Sequence, residues 1–213
     1  MEKETARIEA FSDGVFAIAI TLLVLDLRVP TGDQYFHKTA LLQKLAADWP
    51  SYLAFGLSFF SVFIMWVNHH KLFRQIYHRT TAITFANGLL LFLASIVPWP
   101  TALLARYYHT PAASVTVSLY TGLFVLINLS FNLIWQLASR DRTLLRPEIT
   151  EQMIRRIRRN YLYGVPVHLL AFLLSFFFPG LALALCVLLW TYWAFTSGRV
   201  SSTNAHKGEK HSA

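Results

Sequence analysis

A carboxylate and two hydroxyls are written into a run that is otherwise apolar: Phe11-Ser12-Asp13 opens it, Thr21 sits midway, Asp26 closes it, and Arg7 stands just before it. Ionisable groups at membrane depth mark function by default. Asp13 can accept hydrogen bonds from donors on neighbouring helices or face a cation directly. At 100° per residue Ile18, Leu22 and Leu25 fall within about 60° of one another, with Thr21 on their flank and Asp13 on the opposite side. One face thus offers branched aliphatic side chains and the other a carboxylate in need of donors. Spacing alone favours reading the stripe as a packing face, since lipid-facing, buried and pore-lining stripes look alike.

Other polar groups fall in later apolar runs. Trp66, His69 and His70 end the second, and Asn87 lies in the third. Adjacent histidines on a helix diverge by about 100°, and the paired spacing that zinc sites favour is missing, so a network histidine or a near-neutral pH sensor outranks a metal ligand. Arg7 and Asp13 are too far apart along the helix for a direct i, i+4 pair, which sends Asp13 to another helix for partners. Asp26 is a weaker candidate, an acidic group at an outer mouth whose field Arg28 opposes. Signatures of hydrolases, zinc proteases and phosphate loops do not occur, and the reading is not an enzyme.

The elements that must position these groups are membrane spans. The chain is 55% hydrophobic and only 14% charged, far from the roughly 25% charged balance of soluble domains. Six apolar runs approach the ~20 residues needed to cross a bilayer, at about 6–27, 50–70, 82–105, 113–137, 160–178 and 180–197. The first is interrupted by Asp13 and has no small-residue cleavage site, so it reads as a span and not a signal peptide. Of the 19 Lys and Arg residues, only Arg28, Lys38, Lys44 and Arg106 fall in segments outside the membrane when the N-terminus is placed inside. That bias puts both termini in the cytoplasm and argues against nucleic acid as the reason for the net charge of +8.

Between the first two runs, Phe36, Ala40, Leu41, Lys44 and Leu45 recur at helical spacing and predict a short amphipathic surface helix. Pro50 opens the second span. Pro98-Trp99-Pro100 predicts a kink with an interfacial Trp in the third. Residues 139–159 form a basic cytoplasmic linker, with a helix predicted from Pro147 through Arg155, Arg156, Arg158 and Arg159 that rests on anionic lipid heads. Residues 1–197 thus read as one transmembrane domain, and 198–213 as a polar, disordered tail. Cys186 is alone and apolar in setting.

Phe11-Ser12-Asp13, with Arg7 before it and an Ala/Ile/Thr/Leu-rich helix after it, resembles the signature of the transmembrane protein 175 potassium channels in their prokaryotic form. Trp66-Val-Asn-His69-His70-Lys-Leu-Phe73, Asn87 and Pro98-Trp99-Pro100-Thr101 support the likeness, which is most specific over residues 7–101. The resemblance implies an all-α, six-helix subunit in the plasma membrane. In animals the family carries two such repeats per chain, so a single repeat implies a homotetramer with the first helix lining a central pore. Carried over by position, Ile18, Leu22 and Leu25 with Thr21 form a hydrophobic constriction, and Arg7, Phe11, Ser12, Asp13, Trp66, His69, His70 and Asn87 form an interhelical network. No cofactor is implied, and no metal beyond the permeant K⁺. The alternatives are a proton-coupled or other secondary transporter, a proton-permeable leak channel, and a non-conducting scaffold.

Overall fold

The computed structural model describes residues 5–196, so the tail 198–213 lies outside the described residues. Among the described residues eight α-helices follow one another: α1 Ala6–Leu22, α2 Lys38–Ala47, α3 Trp49–Phe73, α4 Thr81–Ile96, α5 Pro98–Tyr107, α6 Ala113–Ser139, α7 Glu151–Ser175 and α8 Pro179–Thr196. Four stretches among the described residues are long and apolar enough to cross a membrane: Ala6–Asp26, Trp49–Phe73, Thr81–Tyr107 and Ala113–Ser139. The protein is a multi-pass, all-helical membrane protein. The run predicted at 160–178 is the second half of α7, whose first half carries four arginines, and α8 supplies a shorter apolar stretch, Pro179–Ala194.

Local chemistry explains most boundaries. Thr80 caps α4, its side-chain oxygen accepting from the Ile83 N–H at 3.2 Å. Thr150 caps α7 in the same way through Met153. The basic helix therefore starts at Glu151, not at Pro147 as the proline suggests. It also continues without a break into the apolar half, Pro166 notwithstanding. The third run does divide: Pro98 and Pro100 remove two N–H donors, α4 stops at Ile96, and α5 begins at Pro98. Past the break the Thr101 hydroxyl donates to the Val97 carbonyl at 2.7 Å, beside the bond from its own N–H.

The first span departs from the regular helix predicted through residue 27. Its α-helix ends at Leu22, and Leu23–Asp26 tighten into a 3₁₀ turn. Side chains three apart eclipse in that geometry. Leu25 consequently stands above Leu22, and the stripe straightens toward its outer end.

α6 runs through the middle of the protomer, with α4 and α5 on one side and α7 and α8 on the other, while α1 packs against α3 and α4. One continuous core joins Phe16 of α1 and Leu23 of the 3₁₀ turn to Trp135 of α6 and Trp190 of α8, and Cys186 is buried within it. On the side where α3 ends, two loops cross-link: the Tyr77 N–H donates to the Leu144 carbonyl at 2.8 Å, and the Arg146 N–H to the Gln75 carbonyl at 3.0 Å. The Arg142 guanidinium adds a 3.0 Å bond to Glu151 and another to the Ile149 carbonyl. On the opposite side α2 lies largely exposed, with Ala40, Leu41, Lys44 and Leu45 half-buried on one face and Phe36 at 87% exposure.

Candidate permeation helix and its anchoring network

Two helices, α3 and α4, converge on α1 near its start. Ser12 donates to the Ile8 carbonyl of its own helix at 2.7 Å, and its oxygen accepts from Asn87 Nδ2 at 3.0 Å. Asn87 Oδ1 lies 2.9 Å from His69 Nε2. An amide oxygen can only accept, so His69 carries its proton on Nε2. Ser12, His69 and Asn87 are all buried, so the chain of bonds from α1 through α4 to α3 is shielded from competing donors. Packing holds the imidazole in place as well: Phe73 stacks on it at 4.4 Å and Phe16 meets it edge-on at 5.4 Å.

A second tie runs beside the first. Trp66 Nε1 donates to Asp13 Oδ1 at 2.8 Å. His70 is exposed and touches this pair only by stacking on Trp66, 6.4 Å between ring centres. Ser12, Asp13, Trp66, His69 and Asn87 thus come together. Arg7 and Phe11 do not join them: both lie on the exposed face of α1, with Phe11 at 68% exposure. The two histidines part as helix geometry requires, one inward and one outward.

The aliphatic stripe faces away from these ties. Ile18, Leu22 and Leu25 are 61%, 42% and 71% exposed in the single protomer, whereas Phe16, Ala19 and Leu23 on the opposite side are buried. Thr21 is exposed on the same face, and its hydroxyl proton is committed to its own helix, with the Ala17 and Ile18 carbonyls at 3.0 and 2.9 Å. The oxygen lone pairs remain as acceptors. Asp26 is half-buried at the end of the 3₁₀ turn, where its carbonyl accepts from the Arg28 N–H at 3.1 Å.

Comparison with known proteins identifies this arrangement. The family model described as "Endosomal/lysosomal potassium channel TMEM175" matches residues 7–98, a stretch that holds every residue of the network. A potassium channel of Chamaesiphon minutus is 44% identical over 92% of this chain and 96% of its own length. The chain belongs to the TMEM175 potassium-channel family. A potassium channel of Streptomyces collinus is 39% identical over 95% of this chain and 97% of its own. The crystal structure of a TMEM175 homologue from Chamaesiphon minutus, described as that of a lysosomal potassium-selective channel homologue, superposes with a TM-score of 0.82 at 45% identity, covering 91% of this chain and 98% of that one. A chicken relative named an endosomal/lysosomal proton channel is 31% identical over 88% of this chain, which spans 35% of that longer protein.

Two further polar clusters escape a reading of the sequence alone. Ser58 of α3 lies 2.6 Å from Thr101 of α5 and 3.1 Å from the hydroxyl of Tyr120 of α6, pinning three helices at one point. Asn132 of α6 donates to the Tyr161 carbonyl of α7 at 3.0 Å, beside Asn128 and the buried His168. Asn128 and Asn132, four apart on an apolar helix, are the signal that could have found it. Nothing in the separate segments says that Tyr120 meets Ser58.

Proposed function

We propose that four copies of the chain assemble around their α1 helices and pass K⁺ passively down its gradient through a constriction built by Ile18, Leu22 and Leu25. The observation that carries this reading is the polarity of α1: its buried face is tied to α3 and α4 by hydrogen bonds, and its opposite face exposes a stripe of large aliphatic side chains. Such rings gate by dewetting, and they favour the ion that sheds its water more readily, which gives K⁺ an advantage over Na⁺ without a carbonyl filter. Thr21 presents acceptor lone pairs beside the ring, and Asp26 adds negative potential at the outer mouth. Asp13, bonded to Trp66, serves as an anchor of α1 and stays out of the ion path.

In this reading α7 and α8 complete six crossings in residues 1–197, the termini face the cytoplasm, and the chain resides in the plasma membrane. Residues 139–159 form the cytoplasmic linker, where the exposed Arg155, Arg156, Arg158 and Arg159 rest on anionic lipid heads. Purified protein in liposomes with an outward K⁺ gradient tests the proposal: K⁺ flux should run without a proton gradient. The name of the chicken relative supports a second reading, proton permeation along the same axis. A lumenal pH dye in the same liposomes separates the two, since acid flux at symmetrical K⁺ would favour the proton reading.

A further inference from the structure

The side of α3 turned away from α1 borders a cavity of about 590 Å³ between α3, α6, α7 and α8. That volume lies within the ~300–1,000 Å³ range of small-molecule sites. Its lining on α3 runs from Ser61 to Leu72 at helical spacing and continues over Arg74 and Gln75 just past the helix end. At 1.5 Å per residue the groove is therefore roughly 20 Å long. Its two ends differ in chemistry. Lys71, Arg74 and Arg146 stand at the mouth against the lone carboxylate of Glu148, and the bond from Arg146 to Gln75 holds the loop across that end. The mouth is positive on balance.

The far end is aromatic, with Phe124, Trp190 and Trp193 around His168. Phe124 stacks on the imidazole at 6.2 Å, and Trp193 lies 5.6 Å from it. His168 is 1% exposed, and its Nδ1 lies 3.0 Å from the Gly164 carbonyl. A carbonyl accepts only, so in the neutral ring the proton sits on Nδ1 and Nε2 is a bare lone pair. That Nε2 has no partner. Buried acceptors in native proteins are normally satisfied, and this one needs an O–H or N–H donor.

We propose that this groove binds an amphiphile with an anionic group at one end, a long apolar body, and a hydroxyl at the other end that donates to His168 Nε2. The cations at the mouth select the anion, the groove length sets the body, and the lone pair selects the hydroxyl. A plain acyl chain meets the first two requirements and leaves the third unmet. The site is independent of which ion crosses along α1.

Binding of radiolabelled 16-hydroxyhexadecanoic acid to purified protein by scintillation proximity tests the assignment, with unlabelled hexadecanoic acid and 1,16-hexadecanediol as competitors. The hydroxy acid should bind saturably and about tenfold more tightly than hexadecanoic acid, the worth of one buried hydrogen bond. His168→Phe should abolish that preference while retaining binding of hexadecanoic acid. Should that variant fail to fold, the double variant Arg74→Gln, Arg146→Gln, both at exposed positions, should weaken the two acids alike and leave the diol unchanged. Equal binding of the two acids by the wild-type protein, or no saturable binding, would overturn the proposal. Unchanged binding of the acids in the double variant would do the same.

Discussion

α1 and α6 are both long apolar helices, yet they are held in opposite ways. In its most apolar stretch 28% of α1 is buried within the protomer, against 61% of α6. α6 is held mainly by its own subunit, with Tyr120, Ile134 and Trp135 almost fully buried, while an edge through Leu119, Leu126 and Leu133 stays exposed. α1 relies on two hydrogen-bonded ties near its start and leaves an aliphatic face uncovered. A helix mostly buried by its own subunit serves the fold. One fastened along a single edge, with a free apolar stripe, is the helix that the proposed assembly places at its centre.

Changes in the packed half should cost the most stability and alter permeation least. A Cβ on Gly164 would lie 2.4 Å from Asn128 Nδ2 and 2.5 Å from the Trp193 ring. Gly164→Val should therefore lower folded yield and thermal stability by about 1 to 3 kcal/mol, as overpacking does. Protein that survives should keep wild-type ion preference, as read from reversal potentials. A shifted preference with normal stability would erase the contrast between the two regions.

In the anchored half, Asn87→Ala strands the His69 N–H and removes the donor to Ser12. The cost should be about 1 to 3 kcal/mol for the buried group left unpaired. Size-exclusion profiles after graded heating should show earlier loss of the assembled form, with selectivity intact in what remains. Trp66→Phe acts on the more exposed tie to Asp13 and should cost about 1 kcal/mol. If Trp66→Phe or Asp13→Ala assembled normally and changed ion preference instead, Asp13 would belong to the ion path.

The smallest effect is expected in the loop before α7. Asp141 accepts from the Thr143 N–H and hydroxyl at 2.9 and 2.8 Å, and these bonds hold its carboxyl below the ordinary value of 3.8. A depressed carboxylate stabilises the fold above its unfolded value and loses that contribution only as pH falls through the folded one. Asp141→Asn should therefore lower the melting temperature slightly at both pH 7 and pH 5. The gap to wild type should narrow only below the ordinary carboxylate range.

The polar residues of α1, α3 and α4 were legible because each interrupts an apolar run, where an unpaired polar group is costly. Their partners were legible only through family resemblance, since the Ser12 to Asn87 bond joins residues 75 apart in sequence. Arg7 and Phe11 share the signature with Asp13, yet helix geometry turns them to the other face. The 3₁₀ end of α1 carries no proline or glycine to announce it. The cross-link between the Gln75–Tyr77 and Leu144–Arg146 backbones depends on peptide groups that every residue type possesses. The groove at His168 arises from four helices meeting, and no single segment records it.

Ile18→Ala, Leu22→Ala and Leu25→Ala, recorded under bi-ionic K⁺ and Na⁺ conditions, bear most directly on the role of the free face. Val24, 50% exposed but set off from the stripe by the 3₁₀ turn, supplies the control as Val24→Ala. The account predicts that each stripe variant raises conductance and moves the reversal potential toward equal permeability, with Val24→Ala close to wild type. Wild-type conductance and reversal potential in all three stripe variants would contradict it, and the ion path would then have to lie elsewhere in the assembly.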